Sequence, residues 1–213
     1  MSEVRTVAAF DFDGTLTRGD TLLPFLAQGL GWPRFGWTLL ACSPWLAGYA
    51  LRLVANDVAK ARLLKRAFAG RSGAEVNAWT ARWVAGSLPA RLRGDALAQL
   101  AAHRKAGHVC VMVSASPDIY LESVARELGF DGLLCTRMEA REGVFTGRMA
   151  TPNCHGEQKV VRLNAWLAQR FGADAGQVVL HAYGDTAGDK PMLRLADKAW
   201  YRGRPWQDAA PGA

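Results

Sequence analysis

Cysteine is scarce in this chain and carries no pattern. Cys42, Cys110, Cys135 and Cys154 form no C-x-x-C pair and no metal-ligand spacing, so neither a disulfide framework nor a thiolate metal centre is expected. They read as small buried hydrophobes in a reducing compartment. The opening "MSEVRTVAAF" lacks the long apolar core of a secretory signal peptide, which points to a cytoplasmic chain. No internal repeat or low-complexity segment interrupts the sequence, and no aromatic-basic motif favours RNA or DNA as a partner. The longest stretch without a charge, residues 35–51, has seventeen residues and is broken by Pro44 and two glycines. A membrane span needs about 20 consecutive apolar residues, so none is expected.

What is present is a globular composition. The 213 residues are 50% hydrophobic and 21% charged, enough for one sizeable domain or for a core with a smaller domain inserted. The net charge of +7 suits an anionic ligand, an acidic membrane surface or nucleic acid, and alone does not choose among them.

Apolar runs ending in small polar residues recur along the chain. They predict strands over residues 4–10, 108–114, 133–137, 178–185 and 198–202. Helical segments lie between them. One begins at Pro89 and stops at Gly107, another runs from Pro117 to Gly129, and a third carries Val160, Leu163, Leu167 and Phe171 on one stripe. Strands alternating with helices predict an α/β fold around a parallel sheet, with its ligand site at the carboxyl ends of the strands. "MEAREGVFTGRM", with Glu142-Gly143 between alternating runs, predicts a β-hairpin at the edge of that sheet. Residues 18–88 read as helices only, the last starting with Ser72 and Glu75 at capping-box spacing. The expected organisation is a catalytic core of residues 1–17 and 89–213, with residues 18–88 inserted as a helical cap domain.

"AFDFDGTLTRGD" raises a physical conflict. Asp11 and Asp13 end a buried strand two residues apart, where like charges and burial both oppose ionisation. A metal cation would resolve it. Other strand ends deliver Ser114 and Asp185, Asp189 follows four residues later, and Lys159 lies in the first turn of a helix. Acids, a cation and a hydroxyl converging on one edge suit a hard divalent metal and a phosphate. A helix N-terminus at Lys159 already favours anions.

These motifs, "DFDGTLT", "VSAS", "HGEQK" and "GDTAGD", occur in that order over nearly the whole chain. They resemble the haloacid dehalogenase superfamily, specifically its phosphoserine-phosphatase-like subfamily IB with a small helical C1 cap. The resemblance implies a Rossmann-like core and a Mg²⁺-dependent phosphatase. It makes Asp11 the nucleophile and Asp13 the acid/base. Ser114, Ala115 and Lys159 would bind phosphate, and Mg²⁺ would be held by Asp11, Asp185 and the backbone carbonyl of Asp13, with Asp189 in support. It offers Asp20, nine residues after Asp11, as a reader of a substrate amine. The residue chemistry alone gives Asp20 another role, N-cap of the first inserted helix. His155 receives no role from the resemblance.

Residues 35–51 contain Trp37, Trp45 and Tyr49, and Lys60, Arg62, Lys65, Arg66 and Arg71 follow against the single acid Asp57. Two readings stay open. The segment packs within the cap over the active site, or it lies on an anionic membrane surface at the inner face of the membrane. The expected function is hydrolysis of a small-molecule or lipid phosphomonoester. A phosphotransferase with the same intermediate, or an anionic-surface binding protein with a vestigial core, are the rivals. The oligomeric state is left open.

Overall fold

The structure is a computed structural model that describes residues 5–207; Val4, first residue of the predicted opening strand, lies outside them. The chain opens with β1 (Thr6–Phe10), followed by four helices, α1 (Leu22–Leu30), α2 (Trp32–Ala50), α3 (Asn56–Phe68) and α4 (Gly73–Arg82). The core resumes with α5 (Gly94–Lys105), β2 (Val109–Pro117), α6 (Asp118–Leu128), β3 (Gly132–Thr136), β4 (Met138–Arg141) and β5 (Val144–Met149). It closes with α7 (Glu157–Phe171), β6 (Val179–Gly184), α8 (Lys190–Leu195), β7 (Lys198–Tyr201) and β8 (Arg204–Trp206). The sheet order is β3-β2-β1-β6-β7-β8, parallel from β3 to β7. The fold is α/β, a Rossmann-like core with an inserted helical cap.

Alternation along β1 divides the core in two, as the period of a strand requires. Ala8 and Phe10 face α6 and the cap helices, together with Cys110, Met112, Tyr120, Leu121 and Val124. Val7 and Ala9 face the other side, where Leu163, Leu167 and Phe171 of α7 and Met192 and Leu193 of α8 cover the sheet. At the carboxyl end of the first face a row of rings crosses three strands. Phe10 pairs with Tyr183 and Tyr183 with Trp200 in register, and the rings stack at centroid distances of 4.3 Å and 4.6 Å. Such pairs add about 0.5–1.5 kcal/mol each beyond burial. The row fixes the heights of the strand ends, so that Asp11 emerges beside Gly184 and donates its N–H to Tyr183 O at 2.9 Å.

Four expectations need correction. The sheet is not wholly parallel: β8 returns antiparallel on β7 after Arg202 and Gly203, whose positive φ values make the turn. The β4–β5 hairpin does not join the sheet edge but forms its own two-stranded sheet. Its backbone is taken by the link between α3 and α4: Gly70 N donates to Phe145 O, and Phe145 N to Arg71 O. Phe145 also packs on Phe68 of the cap, which leaves the edge of β3 without this hairpin. The helix expected from Pro89 starts at Gly94, because Leu92 is extended and bridges Thr17 antiparallel. Arg18 N donates to Arg91 O and Arg93 N to Leu16 O, so the chain leaving for the cap is tied to the chain returning from it. Finally, the capping box at α4 is half made. Ser72 Oγ accepts from Glu75 N at 3.1 Å, but the Glu75 carboxylate pairs with Arg71 instead.

His103 of α5 is buried beneath the aromatic row, its Nε2 2.8 Å from the Tyr183 hydroxyl and its Nδ1 2.7 Å from His108 Nδ1. Burial, with the neighbouring His181 and His108, lowers its pKa to about 4. An unfolded histidine titrates near pH 6.5, so the unfolded chain binds more protons as the pH falls between these values. This contribution to stability is complete above about pH 6.5 and is lost as the pH falls toward 4. Urea unfolding at pH 7.5 and 5.0 should show the loss in the wild type, and a smaller pH dependence in His103→Gln.

Candidate active site

The strand ends converge on a cavity of ≈ 580 Å³, floored by the core and roofed by cap residues including Leu46 and Tyr49. Asp11, Asp13, Ser114, Ala115, Lys159, Asp189 and Asp20 all line it. Asp185 stands a step aside. It lines a smaller cavity of ≈ 150 Å³ with Thr15, Arg93 and Arg202, though its carboxylate lies within 4.8 Å of those of Asp11 and Asp189.

Lys159 comes from the first turn of α7 and is 1% exposed. Its Nζ donates to Asp11 Oδ1 at 2.5 Å, to Asp189 Oδ1 at 2.5 Å and to Val113 O at 2.9 Å, which uses all three protons. Burial alone would lower its pKa, but the two carboxylates outweigh that and raise it. The opposite holds for Asp11, where burial exceeds the pull of Lys159 and lifts the carboxyl to about 8. Asp189 is held below the ordinary range despite burial. Lys159 binds one oxygen, while Thr186 N, Thr186 Oγ1 and Asp185 N donate to the other.

Asp185 keeps the freest carboxylate. Among the described residues its one side-chain hydrogen bond comes from Thr15 Oγ1 at 3.3 Å, and burial followed by the charge of Asp189 raises its pKa. Gly14, at φ +79°, makes room for it, since a Cβ there would collide with the Asp185 carboxylate. Three acids against one buried ammonium leave excess negative charge among oxygen donors. That donor set fits a hard divalent cation such as Mg²⁺.

The Asp13 side chain turns away from this cluster. Its Oδ1 accepts from Thr21 N (2.7 Å) and Thr21 Oγ1 (2.6 Å), and its Oδ2 from Ser116 Oγ (2.5 Å). The Tyr120 hydroxyl lies 2.9 Å from Thr21 Oγ1 behind it. Burial and the charge of Asp20 raise its pKa, the direction that suits a carboxyl able to deliver a proton. Ser114 Oγ accepts from Ser116 N at 3.0 Å, which places its hydroxyl against the turn at the end of β2. Asp20 is exposed and accepts from Leu23 N at 3.1 Å, but the N-cap of α1 is Thr21, so Asp20 stands one residue before the capping position expected of it. His155 packs against Gly188 at the rim, where any larger residue would strike its ring.

Sequence reasoning passed over Lys60. This cap residue projects from α3 into the cavity, where Nζ donates to Ala115 O and, at 2.7 Å, to Asn153 Oδ1. Asn153 in turn donates to Asn56 and Asp57 of the cap, and Thr136 Oγ1 reaches Ala115 O at 2.6 Å. Burial lowers the Lys60 pKa to about 8, against the pull of Asp13 and Asp20. In the sequence it is one of five basic side chains that follow the uncharged segment, and its helical phase, three residues before buried Leu63, is the signal for its inward direction.

The family model described as haloacid dehalogenase-like hydrolase matches residues 8–194. The chain belongs to that family. Protein CicA of Caulobacter vibrioides is 35% identical over 197 residues, covering 92% of this chain and 85% of that protein. Phosphoserine phosphatase SerB1 of Mycobacterium tuberculosis is 32% identical over 204 residues, and the match spans 64% of its length. Among solved structures, a Bordetella pertussis protein of unknown function superposes with a TM-score of 0.80 at 26% identity, covering 92% of this chain and 89% of its own. A phosphoserine phosphatase captured as a phospho-aspartyl intermediate analogue shares the fold, with a TM-score of 0.63 at 18% identity over 92% of this chain and 86% of that one.

A buried charged hydrogen bond is worth about 1.5–3 kcal/mol, or roughly 10–100-fold in a rate that depends on it. Lys60→Met should therefore lower kcat/KM for a soluble phosphomonoester by about that factor. Its far-UV circular dichroism should stay that of the wild type.

Proposed function

We propose that this chain is a Mg²⁺-dependent phosphomonoesterase that works through an aspartyl phosphate on Asp11. The observation that carries the reading is the division of labour between two carboxylates on one cavity. Asp11 is gripped by a buried ammonium, while Asp13 is held by hydroxyls and an amide with no cation on it. The ammonium on Asp11, with the Mg²⁺ that the site would hold, draws it toward the charged form that attacks, against the burial that raises its pKa, while Asp13 is left to exchange a proton.

The Asp11 carboxylate attacks phosphorus as the bond from phosphorus to the ester oxygen breaks. The carboxyl proton of Asp13 goes to that oxygen, and the alcohol leaves. Asp13, now a carboxylate, takes a proton from a water whose oxygen attacks the phosphoryl group. The Asp11–phosphorus bond breaks, inorganic phosphate departs and Asp13 is again protonated. Ser114 and the backbone at Ala115 orient the phosphoryl oxygens, and Lys159 would reach them by exchanging one of its three acceptors for a phosphoryl oxygen. Mg²⁺ would be held by Asp11, Asp185 and the Asp13 carbonyl, with Asp189 in support, and would supply positive charge against the transferring group. Ser116 and Thr21 fix the Asp13 carboxyl toward the cavity.

In this reading residues 1–17 and 89–213 carry the chemistry, and residues 18–88 form the cap that selects the substrate. The cavity joins a charged floor to cap side chains Leu22, Leu23, Leu46, Tyr49 and Leu63, which favours a small-molecule or lipid phosphomonoester with an apolar portion. Asp20 at the rim would attract a cationic group on it. Four buried free cysteines suit the cytoplasm.

Phosphate release from a panel of soluble and detergent-dispersed phosphomonoesters tests the reading. EDTA should abolish turnover and Mg²⁺ restore it. Asp11→Asn should reduce release to background, and Asp13→Ala should lower kcat by roughly 10²–10⁴-fold without unfolding the protein. Added alcohols that divert phosphate into new esters would identify a phosphotransferase instead.

A further inference from the structure

Helix α2 wears its apolar residues on the outside. Trp37, Leu40, Pro44 and Ala47 recur at spacings of three and four and are exposed, at 68% for Trp37 and 61% for Leu40. Trp32 before them is 77% exposed, and Leu51 and Leu53 beyond them are 69% and 80% exposed. The opposite face is the one that packs, with Phe35, Thr38 and Cys42 buried. The expectation that this uncharged segment packs within the cap therefore holds for one face only. Pro44 and Trp37 are costly residues to display on a water-facing helix, and a continuous apolar stripe of this kind marks a contact surface.

The surroundings of the stripe say what it contacts. No acidic residue occurs between Asp20 and Asp57, and Asp57 itself is turned to Asn153. Beside α2, a depression of ≈ 470 Å³ is lined by Arg62, Lys65 and Arg66 with Ala41, Cys42, Trp45 and Ala69, and by no carboxylate. The Arg62 guanidinium rests 5.1 Å from the Trp45 ring centroid, which holds it at the boundary of apolar and charged surface. Among the described residues none of these three cations has a carboxylate within ion-pair distance. A second copy docked by two-fold symmetry would bring this cationic rim against itself. No helix among the described residues is long and apolar enough to cross a bilayer.

We infer that the outer face of α2 lies on an anionic bilayer, with Trp32, Trp37, Leu40 and Leu51 at the acyl boundary and Arg62, Lys65 and Arg66 on lipid phosphates. The same helix lines the catalytic cavity through Leu46 and Tyr49, so docking sets the cap at the surface without using the chemistry beneath it.

Vesicle flotation of the full chain tests the inference, using phosphatidylcholine vesicles with and without phosphatidylglycerol. The wild type should float with the anionic vesicles, and high salt should weaken this. Near an anionic surface each basic residue contributes about 1 kcal/mol, so Arg62→Gln/Lys65→Gln/Arg66→Gln should weaken partitioning roughly 100-fold. Trp37→Glu/Leu40→Glu should abolish flotation. Both variants should keep wild-type circular dichroism and wild-type turnover of a soluble ester. Failure of the wild type to float, or equal flotation of wild type and variants, would overturn the inference. So would a dimer in light scattering that Trp37→Glu/Leu40→Glu dissolves, which would assign the face to a second copy. Flotation does not need turnover, so its failure and failure of the phosphatase reading are separable.

Discussion

A single ammonium group, fully buried and saturated by Asp11, Asp189 and the Val113 carbonyl, organises the strand ends. Burying charge is costly unless geometry and hydrogen bonding are complete, and removing one partner of such a set typically costs about 3–5 kcal/mol. Lys159 meets that condition with three acceptors for three protons. It ties α7 to the end of β1, to β2 and to the turn after β6, so four segments of the chain share one electrostatic centre. Because one cation faces three acids, the same centre still favours a further positive charge.

The rest of the core serves to bring these groups to one height. Residues of matched register, Phe10, Tyr183 and Trp200, stack across neighbouring strands immediately before the acids appear. Gly14 permits Asp185 to approach, and Gly184 lets Asp189 pack directly on the strand end. The contacts that fasten the cap include the Thr17–Leu92 bridge, the β4–β5 hairpin beneath the α3–α4 link, Thr21 on Asp13, Thr80 on the Ile119 carbonyl, and Lys60 on the Ala115 carbonyl. The last of these couples the helical insert to the turn proposed to bind phosphate.

The α/β architecture was legible because β1, β2, β3 and β6 are apolar runs closed by a polar residue, and the helix of Leu163, Leu167 and Phe171 shows its stripe plainly. Asp11, Ser114, Lys159, Asp185 and Asp189 stood out for their places at strand and helix ends. What escaped depends on partners far away in the chain. The hairpin's location follows from the backbone of Gly70 and Arg71, and the late start of α5 from a bridge to Thr17. Lys60, Ser116 and Thr21 are ordinary polar residues until the fold brings Ala115 and Asp13 to them. The two faces of α2 are both apolar, so periodicity alone could not tell which one is covered.

The central claim is that Asp11 forms a covalent bond to phosphorus. Acid quenching of the enzyme during turnover with Mg²⁺ and a phosphomonoester, followed by intact-mass and peptide analysis, tests it most directly. The account predicts one phosphoryl adduct, on the peptide bearing Asp11, absent from Asp11→Asn and accumulating in Asp13→Ala if that variant slows hydrolysis of the intermediate. Full turnover with no adduct at any quench time, or turnover retained in Asp11→Asn, would contradict it.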